Sequence, residues 1–136
     1  MTFLLDTNAV TDFMNENGIF LGRMRTLQDE DRVIICPIVR GEILFGIARL
    51  PSGQRRETLA KKAASALAGL PCEPIGHATA DIYSKIRRDC EAIGAALHEN
   101  DLWIAAFALQ MGAAVISRDR DFLRVPGLTV EDWTAR

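Results

Sequence analysis

Histidine and cysteine are scarce in this chain, no apolar run is long and the charge is nearly balanced, and each shortage removes a class of function. The two histidines, His77 and His98, have no obvious pairing, which argues against a hydrolase built on a histidine acid and a histidine base. His77 reads as structural, whereas His98 lies close enough in sequence to Asp101 to touch a substrate. Cys36, Cys72 and Cys90 are odd in number and lack paired metal-ligand spacing, so they read as reduced thiols in small core positions, not as a disulfide framework. Apolar stretches stop short of a membrane span, and the opening Met1-Thr2-Phe3-Leu4-Leu5-Asp6 meets an acid before a signal-peptide core could form; the protein is expected to be cytoplasmic. A net charge of −2 advertises no general affinity for nucleic acid, so any such contact has to come from local basic patches.

What is present is a chain of 136 residues, 49% of them apolar, with no linker or low-complexity stretch. That is the profile of one domain, residues 1–136, with a sizeable core. Short apolar runs at Phe3 to Leu5, Arg32 to Cys36, Cys72 to Ile75, Ala113 to Ser117 and Thr129 to Trp133 predict five strands, the third of them weak. Between them, helices are predicted from Thr7 to between Asn15 and Gly18, Ile19 to Leu27, Pro37 to Leu50, Arg55 to Leu70, Thr79 to Ile93 and Asp101 to Met111, the last closed by Gly112. Alternation of this kind predicts an α/β fold, a three-layer α/β/α sandwich around a mostly parallel five-stranded sheet.

In such a fold every helix starts near the carboxyl edge of the sheet, and that placement gathers acids. Asp6 and Asp119 close strands on this edge, Asp101 opens the helix leading to the strand before Asp119, and Glu42 lies one to two turns into the helix after the second strand. Taken singly, Asp6, Asp101 and Asp119 are ordinary helix-cap, first-turn and loop residues. Glu42 is harder to dismiss, because its neighbours make the helix apolar on most sides. Four carboxylates meeting on one edge repel unless cations separate them, so the cluster suits a hard divalent metal ion. Thr7 and Ser117 are supporting hydroxyls on this reading, helix capping or a strand-end hydrogen bond being the plain alternatives. Asn100 fits an N-cap, and Asp121 is held in reserve for Asp119.

The same residues carry a family resemblance. Leu4-Leu5-Asp6-Thr7-Asn8, a glutamate about 36 residues on, Asn100-Asp101-Leu102-Trp103-Ile104-Ala105-Ala106 and Ser117-Arg118-Asp119-Arg120-Asp121-Phe122 together resemble a PIN-domain ribonuclease over essentially the whole chain. The length and the run Gly46 to Arg56 resemble VapC-type toxins of toxin–antitoxin pairs, including the FitB-like branch. The resemblance implies a PIN-like fold, a quartet of Asp6, Glu42, Asp101 and Asp119 binding Mg²⁺ or Mn²⁺, and endonucleolytic hydrolysis of phosphodiester bonds in structured RNA such as tRNA or rRNA. It also implies a homodimer and a cognate, VapB-like antitoxin that presents an arginine to the acidic site. Such toxins often carry hydroxyls six and three residues before the glutamate; Cys36 and Val39 stand there in this chain.

Substrate grip is expected from Arg118 and Arg120 beside Asp119, with Arg49, Arg55, Arg56, Lys61 and Arg124 as further basic candidates that could equally be solvated surface charges. Other readings are a housekeeping or DNA-directed PIN nuclease, a noncatalytic PIN-like binding module, and a receiver-like phosphoacceptor. The last wants an adjacent acidic pair after the first strand and a lysine near the last; Asp6 stands alone, and no lysine follows Lys85.

Overall fold

The computed structural model describes residues 1–136. The elements run β1 (Thr2–Leu5), α1 (Thr7–Met14), α2 (Gly18–Arg25), β2 (Arg32–Ile34), α3 (Pro37–Ala48), α4 (Gln54–Ala68), α5 (His77–Ala92), α6 (Glu99–Met111), β3 (Ala114–Ile116), a 3₁₀ turn (Arg120–Arg124) and β4 (Val130–Glu131). The sheet has the order β2-β1-β3-β4, and all its pairings are parallel. Leu4 and Leu5 of β1 and all of β3 are buried, as strands covered by helices on both faces must be.

The sheet has four strands where the sequence predicts five. Cys72 to Ile75 forms only a parallel bridge between Ile35 and Cys72, outside β2. Ile35 N–H donates to the Pro71 carbonyl at 2.9 Å and Glu73 N–H donates to the Ile35 carbonyl at 3.0 Å. Pro71 and Pro74 flank this contact and have no N–H to offer, so the ladder cannot lengthen into a strand. β4 is likewise shorter than expected: the Asp132 carboxylate accepts from Thr134 N–H at 2.8 Å and turns the chain after Glu131.

Helix limits follow local chemistry. Pro37 occupies the first position of α3, where its missing N–H leaves nothing unsatisfied. Gly112 ends α6 at φ 63°, a left-handed cap that favours glycine. α6 has Leu102 and Ile104 to Ala108 buried, so this helix is the inner wall of the core, and its alanines allow close approach. Trp133, after β4, packs its ring 5.2 Å from Phe3 and 5.4 Å from Phe20, joining the last strand to β1 and α2 through aromatic contacts. Of the cysteines, Cys36 and Cys90 are buried as expected and Cys72 is exposed; all three are free thiols. No helix is long and apolar enough to cross a membrane.

Candidate active site

The sheet register builds the centre of the site. Leu5 pairs with Ile116, so the next residues on each strand, Asp6 and Ser117, emerge side by side although 111 residues separate them. Asp6 N–H donates to the Ile116 carbonyl at 3.1 Å, and the Ser117 hydroxyl donates to the Asp6 carboxylate. Asp6 is also the N-cap of α1, its other oxygen accepting from Ala9 N–H at 2.8 Å. Cap and candidate site residue are thus the same side chain, which is 4% exposed.

The remaining acids approach from three directions. Glu42, partly buried on α3, accepts a 2.6 Å hydrogen bond from the Thr7 hydroxyl, which ties α3 to the start of α1. Asp101 sits in the first turn of α6. Asp119 is held from both sides: its N–H donates to Ser117 Oγ at 2.9 Å, and its carboxylate accepts from Asp121 N–H at 2.9 Å as the cap of the 3₁₀ turn. Ser117, also 4% exposed, therefore links Asp6 to Asp119 through one hydroxyl. Asp121 is exposed and paired with Arg124 at 2.8 Å, which leaves Asp119 the better placed of the two. The N-cap of α6 is His98, whose Nδ1 accepts from Asn100 N–H at 3.4 Å; Asn100, expected as the cap, lies inside the first turn.

Electrostatics mark the cluster as strained by burial first and by its own charge second. Burial raises the Asp6 pKa from 3.8 to about 6, against the Ser117 and Ala9 hydrogen bonds and with help from Asp101 and Asp119. Burial also raises Asp101 to about 6, reinforced by the negative charges of Asp119, Glu42 and Asp121 and opposed by His98. None of the ion pairs in the protein includes Asp6, Glu42, Asp101 or Asp119, so no side-chain cation neutralises the group. No three His, Cys, Asp or Glu side chains stand within joint coordinating reach of one point. Asp101 and Asp119 each act on Asp6, and Asp119 and Glu42 act on Asp101, through their charge. The donor set is all oxygen with no cation paired to it, which is the chemistry a hard divalent ion takes.

The basic candidates divide in two. Arg118 pairs with Asp12 of α1 at 3.0 Å, a partner that spacing did not suggest. Arg124 is engaged by Asp121 and donates to the Ala96 carbonyl at 3.1 Å. Arg49 ends α3 with its guanidinium 6.0 Å from the Phe45 ring centre. Arg120 is exposed and enters no ion pair. Two hollows flank α3. The larger, about 470 Å³ between α3 and α4, is apolar with Arg40 and Arg56 in its lining and lies away from the carboxylates. The smaller, about 280 Å³, includes Thr7 and Glu42 in its wall. The apolar, Ala-rich helices lead one to expect a groove such as the larger hollow, whereas the smaller one is not legible in the sequence, because it is made where α1 packs against α3 and α4.

Residues 3–128 match the family described as PIN domain. The ribonuclease VapC1 of Haemophilus influenzae is 30% identical over 140 residues, covering 98% of this chain and 99% of that protein. Among solved structures, VapBC2 from Rickettsia felis bound to a DNA fragment from their promoter superposes with a TM-score of 0.88 at 24% identity, covering 98% of this chain and 99% of that one. FitAcB from Neisseria gonorrhoeae does so with a TM-score of 0.80 at 26% identity, covering 96% and 97%.

Proposed function

The chain belongs to the PIN-domain family, among the VapC ribonucleases, and from that premise we propose that it is the endoribonuclease toxin of a toxin–antitoxin pair, working with Mg²⁺ or Mn²⁺ at Asp6, Glu42, Asp101 and Asp119. The observation that carries the metal assignment is the uncompensated carboxylate cluster, two members of which have pKa values raised to about 6. Each acid has a task on this reading. Asp6, Asp101 and Asp119 hold the cation, and Glu42, steadied by Thr7, orients a further ligand or a second ion. When bound, the cation activates water and offsets the charge of the scissile phosphate. Ser117 keeps Asp6 and Asp119 in a fixed relation by donating to one and accepting from the other. The protein supplies no nucleophile of its own.

The substrate is proposed to be structured RNA, with tRNA and rRNA as the leading classes, gripped in part by Arg120 and by Arg118 and Arg49 where the RNA displaces their present contacts. A cognate antitoxin is proposed as the inhibitor. The relatives solved as VapBC and FitAcB support it, and so does the apolar groove between α3 and α4, where arginines suit an amphipathic segment with acidic flanks. A homodimer is proposed as well, with Phe45, 65% exposed on α3, as the first contact to test.

The test is cleavage of an RNA pool by purified, antitoxin-free protein with Mg²⁺ or Mn²⁺ and again in chelator. Cleavage only with the ion, leaving 5′-phosphate and 3′-hydroxyl ends, is the expected result. Equal cleavage in chelator, or cyclic phosphate ends, would overturn the metal mechanism and turn attention to His98.

A further inference from the structure

We propose that the smaller hollow beside Glu42 is a nucleobase pocket, which receives one unstacked base of the RNA next to the cleaved bond while Arg55 holds the adjoining phosphate. This rests on the ribonuclease reading and deepens it by naming how the substrate is recognised.

Three features carry the inference. The first is continuity, since Thr7 and Glu42 belong both to the carboxylate edge and to the wall of the pocket, with the Thr7 hydroxyl 2.6 Å from Glu42 Oε1. Whatever fills the pocket lies directly beside the reacting phosphodiester. The second is size and lining. About 280 Å³ lies just below the range of small-molecule sites, which run from roughly 300 Å³, so it has room for one base and not for a whole nucleotide pair. Ile47 and Leu59 give it aliphatic walls, against which the apolar face of a base can rest and a phosphate cannot.

The third feature is what stands at the boundary. Arg55, in the first turn of α4, is exposed and joins no ion pair in the protein, so its guanidinium is available for bidentate contact with a phosphate. Gly46 contributes to the lining from the interior of α3, and a Cβ there would meet nothing within 4 Å. A residue that weakens a helix thus stands at a position with room for a larger one, and the space it leaves belongs to the pocket. To enter, a base must leave its stack, so the substrate class is an RNA whose cleaved bond lies in a loop or bulge.

The experiment uses the full-length protein and an RNA hairpin with its mapped cleavage site in the loop. A second RNA is identical except for an abasic nucleotide beside the cleaved bond. Wild-type protein is expected to lose roughly fivefold to fiftyfold in affinity and in kcat/KM toward the abasic RNA, as burial of one base face against aliphatic walls would give. Gly46→Leu, which fills the pocket, is expected to lose a similar factor on the intact RNA and to be indifferent to the abasic change. Arg55→Ala should raise KM about tenfold on both RNAs, with Arg55→Lys recovering part of the loss. Thermal melting checks the fold of each variant. Should Gly46→Leu fail to fold, wild-type protein with the abasic RNA and the exposed Arg55 variants still decide the matter. Equal treatment of intact and abasic RNA by wild-type protein overturns the proposal. So does a Gly46→Leu variant that cuts normally, and one that cuts normally yet no longer binds antitoxin would assign the pocket to a protein segment. Wild-type protein that neither binds nor cuts RNA removes the ribonuclease reading as well.

Discussion

Replacing Asp6 with Asn should abolish cleavage and, in the metal-free protein, make the fold more stable. The Asp6 pKa rises from 3.8 to about 6, which at 1.36 kcal/mol for each pH unit is roughly 3 kcal/mol held against the ionised form. A carboxyl whose folded pKa is raised binds its proton more tightly in the native state. Its contribution to stability is therefore full below about 3.8 and is lost as pH rises through about 6. At pH 7.5 the wild-type protein lacks that contribution altogether. Asn keeps the cap, because its carbonyl can accept from Ala9 N–H as the carboxylate does, and it carries no charge to desolvate. Rearrangement around the Ser117 hydroxyl reduces the gain, so about 1–3 kcal/mol is expected at pH 7.5, or roughly 3–10 °C in Tm for a domain of this size. The assay is thermal unfolding of both proteins in chelator from pH 4 to pH 8. The two melting curves should converge as pH falls, since a protonated Asp6 resembles Asn. Added Mn²⁺ should then raise the wild-type Tm more than the variant's. A variant that melts lower than wild type at pH 7.5, or a gap that does not narrow toward pH 4, would refute the reasoning.

Asp119→Asn should lower kcat/KM more than about a hundredfold, beyond the usual loss for a residue that only orients a ligand, while Asp121→Asn stays within a fewfold of wild type; the reverse ranking in steady-state cleavage assays would move the site to Asp121. Ser117→Ala removes the donor to Asp6 and the acceptor for Asp119 N–H, so it should destabilise the protein by about 1–3 kcal/mol in urea unfolding and push the Asp6 pKa further up, visible by carboxyl NMR titration. Expressed alone in its host, the chain should arrest growth, with rescue by a small protein encoded next to it that co-purifies with it; arrest that persists in Asp6→Asn would separate toxicity from the nuclease.

Much of this protein could be read along the chain because parallel strands buried on both faces must be short apolar runs, and helices between them must begin on the carboxyl edge. Phe3 to Leu5, Ala114 to Ile116 and the helices after Asp6 and Pro37 obey that logic within a residue or two, and the placement of the four acids follows from it. Local reading failed where a second segment decides the outcome. Cys72 carries a strand-like neighbourhood, but its pairing is limited by prolines on both sides, so it makes a bridge to Ile35 and no strand. Asn100 has good capping chemistry, yet the turn before α6 gives that position to His98. Spacing offered no hint that Arg118 would meet Asp12, and although it marked Ser117 as a supporting hydroxyl, it did not show that this one side chain would join Asp6 to Asp119. Those contacts depend on the register of β1 against β3, which a linear pattern does not contain. Residue types and their order thus determined which carboxylates could share an edge. Only the folded chain decided how far each is buried, which hydroxyl holds it and which cation stays away, because desolvation and Coulomb energy depend on distances through space and not along the chain.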